Sequence, residues 1–217
     1  SRKANAATTA PLTFPTMTQH PLRVIPLGGL GEIGKNMMAL EYKREIIVID
    51  AGVLFPEQDM LGVDLIIPDI SYLVQNRDRV RAIFITHGHE DHTGALPYVL
   101  RELKVPVYAP RLAMGLISVK LKEHGILRST KLLEMQPGKE IKAGPFRVDC
   151  FRVAHSIPDA MGLAIRTPLG MVIHTGDFKI DHTPVDSHPV SLAELARICK
   201  DGVFLLLADS TYAELPG

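Results

Sequence analysis

The chain has 217 residues, 46% of them hydrophobic, which suits one large domain, or one and a half small ones, with a real core. Lysine plus arginine and aspartate plus glutamate number 24 each, so no global field recruits nucleic acid and an anionic ligand has to be held locally. No apolar run approaches the ~20 residues of a membrane-spanning helix and no signal-peptide pattern opens the sequence, so a cytoplasmic globular protein is expected. The two cysteines, Cys150 and Cys199, both read as core residues, which leaves no disulfide framework and gives cysteine metal ligation little support.

Residues 1–20 are rich in Ala, Thr and Pro without periodicity and read as a disordered leader, with the fold beginning near Leu22 and occupying residues 21–217. Leu22 to Leu27, Met37 to Tyr42 and Ile46 to Asp50 read as strands, the last two joined as a hairpin by Lys43-Arg44-Glu45. A turn-rich loop from Gly52 to Pro68 leads to a short helical stretch near Ile70 and then a strand from Ala82 to Thr86. Helical spacing covers Gly94 to Leu103 and Arg111 to His124, with a strand from Val105 to Tyr108 between them. Strands are expected over Phe146 to Val153, Met161 to Arg166 and Met171 to His174, then a helix over Leu192 to Lys200 and a buried strand over Val203 to Leu207. Strands alternating with helices predict an α/β architecture, its mixed sheets covered by helices.

The chemistry concentrates in Ile83-Phe84-Ile85-Thr86-His87-Gly88-His89-Glu90-Asp91-His92, where an apolar strand breaks into three imidazoles and a carboxylate within six positions. Such a loop and helix start can deliver alternate side chains to two ions, His87 and His89 gripping one while Asp91 and His92 grip the other. Two further strand ends offer ligands. Phe151-Arg152-Val153-Ala154-His155 brings an imidazole that completes the first ion's set. His174-Thr175-Gly176-Asp177 brings a carboxylate after a turn-permitting glycine, and its two oxygens can bridge ions held ~3.5–4 Å apart. Asp50 also ends an apolar strand and is expected to orient a metal-bound histidine rather than touch metal. His174 is either buried core or a similar support, and His20, His124, His182 and His188 are expected to be exposed.

Gly29-Leu30-Gly31-Glu32-Ile33-Gly34 matches the spacing of a dinucleotide fingerprint, and with Lys35 and Asn36 it falls one residue short of a phosphate-binding loop. Both motifs need a following helix. The residues up to Asp50 read instead as a hairpin, and Asn36 lacks the hydroxyl that would hold magnesium. The glycines are expected to let the backbone pass close to the metal floor.

Taken in order, Asp50, His87, His89, Asp91, His92, His155 and Asp177 resemble the ligand motifs of the metallo-β-lactamase superfamily. That resemblance implies a four-layer αββα sandwich with a two-metal site at one edge of its sheets. Within the superfamily the chain is similar to the ribonuclease J group of the β-CASP nuclease branch. The likeness runs through Pro26 to Asn36, Phe55-Pro56-Glu57, Thr86 to His92, His155-Ser156-Ile157-Pro158-Asp159-Ala160 and His174 to Lys179. Asp209-Ser210-Thr211-Tyr212 resembles the first β-CASP motif, which gives Asp209 a supporting carboxylate role beside Asp50 and Asp177. The resemblance also implies a β-CASP domain, a returning half of the sandwich and one more histidine ligand beyond Gly217. The sequence is therefore expected to be an N-terminal portion in which the second ion is one ligand short.

The activity implied is hydrolysis of RNA phosphodiesters by a hydroxide that two divalent ions activate, both internally and 5′-to-3′ from a 5′-monophosphate end. Zinc suits the ligands and manganese is also accommodated. The resemblance leaves room for RNA-decay partners and for a homo-oligomer of the full-length protein, and it implies no membrane. Two other functions fit the same scaffold: a small-molecule thioesterase or lactamase-type hydrolase, against which Asp209 to Tyr212 argues, and a non-catalytic RNA- or partner-binding module, against which the complete run of ligands argues.

Overall fold

A computed structural model describes residues 20–57, 60–181 and 191–214. The expected leader, His20 apart, lies outside these residues, as do His182 and His188. The strands are β1 (Leu22–Gly28), β2 (Met37–Tyr42), β3 (Glu45–Ile49), β4 (Val80–Phe84), β5 (Val107–Ala109), β6 (Leu132–Glu134), β7 (Ile141–Ala143), β8 (Phe146–Arg152), β9 (Met161–Thr167), β10 (Gly170–His174) and β11 (Leu205–Leu207). The α-helices are α1 (Ser71–Gln75), α2 (Glu90–Thr93), α3 (Leu96–Glu102), α4 (Arg111–Glu123) and α5 (Leu192–Ile198).

Two sheets result. The first has the order β1-β2-β3-β4-β5-β6, the second β11-β10-β9-β8-β7. In the first, β1, β2 and β3 pair antiparallel and the remaining pairs are parallel. In the second, only β10 and β11 run parallel.

The continuous apolar run of β3 is explained by burial on both faces, since successive side chains of a strand point to opposite sides. Ile46 and Val48 join one core with Leu73, Leu96, Val99, Ile117 and Leu121 of the helices. Ile47 and Ile49 face the other way and join Phe84, Phe146, Val148, Leu163 and Ile165 between the two sheets. A third cluster, with Phe151, Ala164, Ile173 and Ile198, places α5 on the far side of the second sheet. The order of layers is thus helix, sheet, sheet, helix: an αββα sandwich.

Several expected elements take a different form. The stretch Gly94 to Leu103 does not start one helix: a short α2 precedes Gly94, and α3 begins afresh at Leu96 with Pro97 in its first turn, where a missing N–H costs nothing. Strands β6 and β7 have three residues each, one of them charged, and so show no apolar run in sequence. The expected buried strand Val203 to Leu207 shortens to β11 at a sheet edge. Leu205 and Leu207 pack on the inter-sheet core, whereas Phe204 and Leu206 stay exposed, because alternate side chains point to the outer face, which the α5 cluster does not cover here. His124 is half-buried rather than exposed, its ring edge-on to Tyr98 with centroids 5.6 Å apart. Cys150 is buried and Cys199 half-buried. Burial, with Asp149 next to it, pushes the Cys150 thiol up to about 12, so it stays protonated and inert.

The glycine-rich segment leads from β1 directly into β2, and no helix follows it. Gly29, Gly31 and Gly34 adopt positive φ, and a Cβ on Gly28 would lie 2.2 Å from the carbonyl oxygen of Lys35. The segment folds on itself, without the helix N-terminus a phosphate would need. Among the described residues no helix is long and apolar enough to cross a membrane.

Candidate metal centre

Strands β3, β4, β8, β10 and β11 all run toward one edge of the sandwich, and each ends in a residue singled out by the sequence. Asp50 follows β3, His87 lies just beyond β4, His155 beyond β8, Asp177 beyond β10 and Asp209 beyond β11. The two sheets are stitched together at this edge by the amide of Met161, which donates to the Thr86 carbonyl at 3.0 Å.

Asp50 is the buried anchor. Its φ of 58° is left-handed, a conformation that Asp tolerates better than most residues, and its amide still donates to the Phe84 carbonyl at 2.8 Å. Its Oδ1 accepts from the Thr86 amide at 2.8 Å, and its Oδ2 accepts from the Thr86 hydroxyl at 2.9 Å and from His92 Nδ1 at 2.8 Å. The Thr86 oxygen also lies 3.0 Å from His87 Nδ1. With the threonine proton committed to Asp50, that oxygen accepts from His87, so both imidazoles spend Nδ1–H on this network and leave Nε2 for the site.

The loop bearing the histidines is clamped by main chain. Ala51, Gly52 and Val53 donate to His92, Asn36 and Glu90 carbonyls at 2.8, 3.0 and 3.1 Å. Contact is close enough that a Cβ on Gly52 would sit 1.5 Å from the Asp91 carbonyl oxygen, a backbone atom that cannot swing aside. Gly52→Ala is therefore expected to push Glu90 to His92 away from Asp50. A clear fall in melting temperature with weakened metal binding is the expected result of calorimetry and titration, and a variant as stable as the parent would show that this packing yields freely.

Two compact groups of ligand atoms result, each within 4.8 Å: His87, His89 and His155, and His87, His92 and Asp177. In the first, His87 Nε2 lies 3.0 Å from His89 Nδ1, and the ring of His155 stands 4.8 and 5.0 Å from those of His87 and His89. In the second, Asp177 Oδ1 is 3.4 Å from His92 Nε2, while its Oδ2 is 3.6 Å from His155 Nε2. One carboxylate thus turns an oxygen to each group. His87 belongs to both. Asp91 stands outside the tightest groups, its Oδ2 3.6 Å from His92 Nε2.

The electrostatics fit divalent metal. Burial, assisted by the nearby His92, holds His87 well below the usual histidine range, so its imidazole is neutral as a ligand must be. Burial likewise lowers His155 and His174. Burial opposes charge on His92 too, yet Asp50 and Asp177 flank its ring and raise it to about 10: the surroundings favour a positive charge at that ring, which a metal ion supplies as well as a proton. For Asp177 burial is overcome by the histidines around it, led by His92, and its carboxyl is held below the usual range. Imidazole and carboxylate donors are a set for zinc-like or manganese-like ions.

Asp209 is half-buried. Its amide donates to Thr175 Oγ1 at 3.1 Å, and its Oδ1 accepts from the Thr211 amide and hydroxyl at 2.8 and 2.6 Å. His174 Nδ1 accepts from the Gly176 amide at 3.1 Å, shaping the turn that presents Asp177. A cleft of about 600 Å³ brings together the glycine-rich segment, Asp91, His92, Asp177 and Asp209. Two residues escape sequence reasoning. Thr86 couples Asp50 to His87, and its only signal is its place before the first histidine. Asn36 touches Asp91 and His92, and its only signal in the sequence is its place at the end of the glycine-rich segment.

The sequence model of the metallo-β-lactamase superfamily matches residues 30–189. The chain belongs to that superfamily. It is 47% identical over 205 residues to ribonuclease J 1 of Streptococcus pyogenes, covering 94% of this chain and 36% of that protein. It is 48% identical over 206 residues to ribonuclease J of Thermus thermophilus, covering 92% and 36%. The chain thus spans about a third of the length of these curated relatives. Among solved structures, an Enterococcus faecalis protein of unknown function superposes with a TM-score of 0.64 at 22% identity, over 90% of this chain and 51% of that one. Zn2+-bound PqqB from Methylobacterium extorquens superposes with a TM-score of 0.57 at 14% identity, over 84% and 64%. These two likenesses concern the fold.

Proposed function

We propose that this chain is the N-terminal part, from about residue 21, of the metallo-β-lactamase domain of a cytoplasmic, metal-dependent ribonuclease that hydrolyses RNA phosphodiesters. The identity of 47–48% with ribonuclease J proteins over more than nine-tenths of the chain carries the reading. The reaction is both endonucleolytic and 5′-to-3′ exonucleolytic, with preference for a 5′-monophosphate. Two divalent ions, Zn2+ or alternatively Mn2+, serve it. His87, His89 and His155 hold one; His92, Asp91 and Asp177 hold the other, with Asp177 shared. When bound, such ions make hydroxide available near neutral pH and offset charge on the attacked group.

The chain's own residues supply the rest. Asp50 and Thr86 fix the tautomers of His87 and His92, which keeps each Nε2 directed at the site. Asp177, ionised and placed between the two groups, orients whatever cation and water sit there. Asp209, on the cleft wall, adds to the negative charge that Asp177 places near His155, whose burial still keeps it lowered.

The test uses the protein extended to the length of its relatives. RNA carrying a 5′-monophosphate, the same RNA with a 5′-triphosphate, and a circular RNA are incubated after chelation and after return of Zn2+ or Mn2+, with a thioester as the small-molecule comparison. Metal-dependent cleavage of the monophosphorylated and circular RNAs, without thioester turnover, is expected. Thioester hydrolysis with intact RNA would transfer the chain to the small-molecule hydrolases, and metal binding without turnover of any substrate would leave a binding module.

A further inference from the structure

The ligand set proposed for the second ion contains a geometric problem. Asp91 and His92 are neighbours in α2, and successive side chains on a helix diverge by about 100°. Neighbours at i and i+1 do not face each other, so nothing in the helix itself brings Asp91 Oδ2 and His92 Nε2 together.

Asn36 closes this gap. Its side-chain Nδ2 donates to Asp91 Oδ2 at 3.2 Å and lies 3.1 Å from His92 Nε2. Its main chain ties that loop to the turn after β3: the Asn36 amide donates to the Asp91 carbonyl at 2.9 Å, and its carbonyl accepts from Gly52 at 3.0 Å. The residue is therefore fixed to the ligand loop at three points, and its carboxamide spans two ligands that come from different faces of a helix turn.

The glycine-rich segment, left without a role once nucleotide binding is set aside, explains how Asn36 fits there. Gly29 has a φ of +83°, and a Cβ on it would lie 2.5 Å from Asn36 Oδ1 and 3.1 Å from Asn36 Cα. Gly28 is packed as tightly on the preceding Lys35 carbonyl. Side chains at these positions would drive Asn36 out of the cleft, so the glycines leave the room its amide occupies.

We propose that Asn36 is a positioning residue for the second metal, holding the Asp91 carboxylate beside His92 through its contacts with the Asp91 side chain and carbonyl, and that Gly28 and Gly29 are the cradle that seats it. The proposal rests on the two-ion reading above. It assigns no coordination to Asn36 itself; the amide acts on the ligands.

The experiment is a titration of metal-free protein, extended to the length of its relatives, with Co2+, followed by visible absorption and calorimetry, for the parent, Asn36→Ala and Asn36→Leu. Leucine preserves most of the volume of asparagine and removes both hydrogen-bonding groups. The parent is expected to take two ions. In both variants one ion should bind as before while the other weakens on the order of 10–100-fold, the range seen when an outer partner of a ligand is removed. The d–d spectrum of the weakened ion should change, because its donors no longer converge. Melting of the metal-free proteins separates positioning from folding, and should Asn36→Ala melt early, Asn36→Leu carries the comparison. Two ions bound with parental affinity in either folded variant would overturn the role, as would equal weakening of both ions. A parent that binds only one ion would instead remove the two-ion reading on which the role depends.

Discussion

His87→Ala is expected to weaken metal binding at both positions together, a larger loss than any other single ligand change in the first group produces. His87 is 1% exposed and is the one side chain common to both compact ligand groups, whereas His89 and His155 belong to one group alone. The one free lone pair of His87, on Nε2, serves the first ion, and its removal also strands Thr86, whose oxygen accepts from His87 Nδ1 and whose hydroxyl supports the Asp50–His92 contact beside the second. The affinity lost should exceed the ~10–100-fold that follows from removing a partner outside the ligand set. Elemental analysis after exhaustive dialysis is the direct measurement. Less than one equivalent should remain on His87→Ala, while His89→Ala keeps the ion held by His92 and Asp177. If the two variants retain the same single equivalent, the loss of His87 does not pass through Thr86 and Asp50 to the second ion. Unfolding of the metal-free proteins should be compared alongside, since a buried ring is being removed and a cavity costs stability by itself.

This shared position of His87 is what sequence spacing could not supply. Ligand spacing assigns His87 and His89 to one ion because they sit two apart, and Asp91 and His92 to the other because they follow; this pairing treats the segment as a line. In the folded chain the Thr86–Asp50 network draws His87 and His92 together, their ring centroids 4.0 Å apart, so His87 reaches both groups. Residues at strand ends were legible for a different reason. A strand that is apolar on every position and then stops at His or Asp announces both its burial and the polar edge where it emerges, and Asp50, His155 and Asp177 all follow such runs. The hairpin of β2 and β3 was legible through its polar turn, and so was the lack of a helix after Gly34. Asn36 was not, because its role depends on a contact across 55 positions of sequence to Asp91. Strands β6 and β7 escaped because each carries a charged residue within its three positions and shows no apolar run, unlike the equally short β5 and β11. Leu206 misled because an apolar run reads as buried on both faces, and only the folded chain shows that the outer face is uncovered at this strand.

Asp50→Asn should have the next largest effect, on stability and metal affinity alike. The carboxylate is 2% exposed and accepts three hydrogen bonds, from the Thr86 amide, the Thr86 hydroxyl and His92 Nδ1. Burial alone would favour the neutral acid, but His92, chiefly, and then His87 and the Thr86 amide hold the carboxyl below its usual range. Asparagine has nearly the same shape and only one acceptor oxygen. Its amide nitrogen must confront either the Thr86 N–H or His92 Nδ1–H, so one buried donor loses its acceptor or His92 changes tautomer and turns a protonated Nε2 toward the site. Breaking a buried charge pair by removing one member costs on the order of 3–5 kcal/mol, and loss of the carboxylate that orients a ligating histidine costs on the order of 10–100-fold in metal affinity. Urea unfolding of the metal-free protein reads the first effect and a Zn2+ or Mn2+ titration the second. A double-mutant cycle with His92→Gln then tells whether the two losses travel through the same contact: strong coupling is expected, because once His92 is gone the Asp50 carboxylate has no imidazole to hold. Additive losses would place the role of Asp50 elsewhere, in Thr86 and the turn after β3. A metal-loaded structure with an Asp50 oxygen bonded to the ion would make it a ligand instead, and the affinity lost in Asp50→Asn would then belong to coordination and not to orientation.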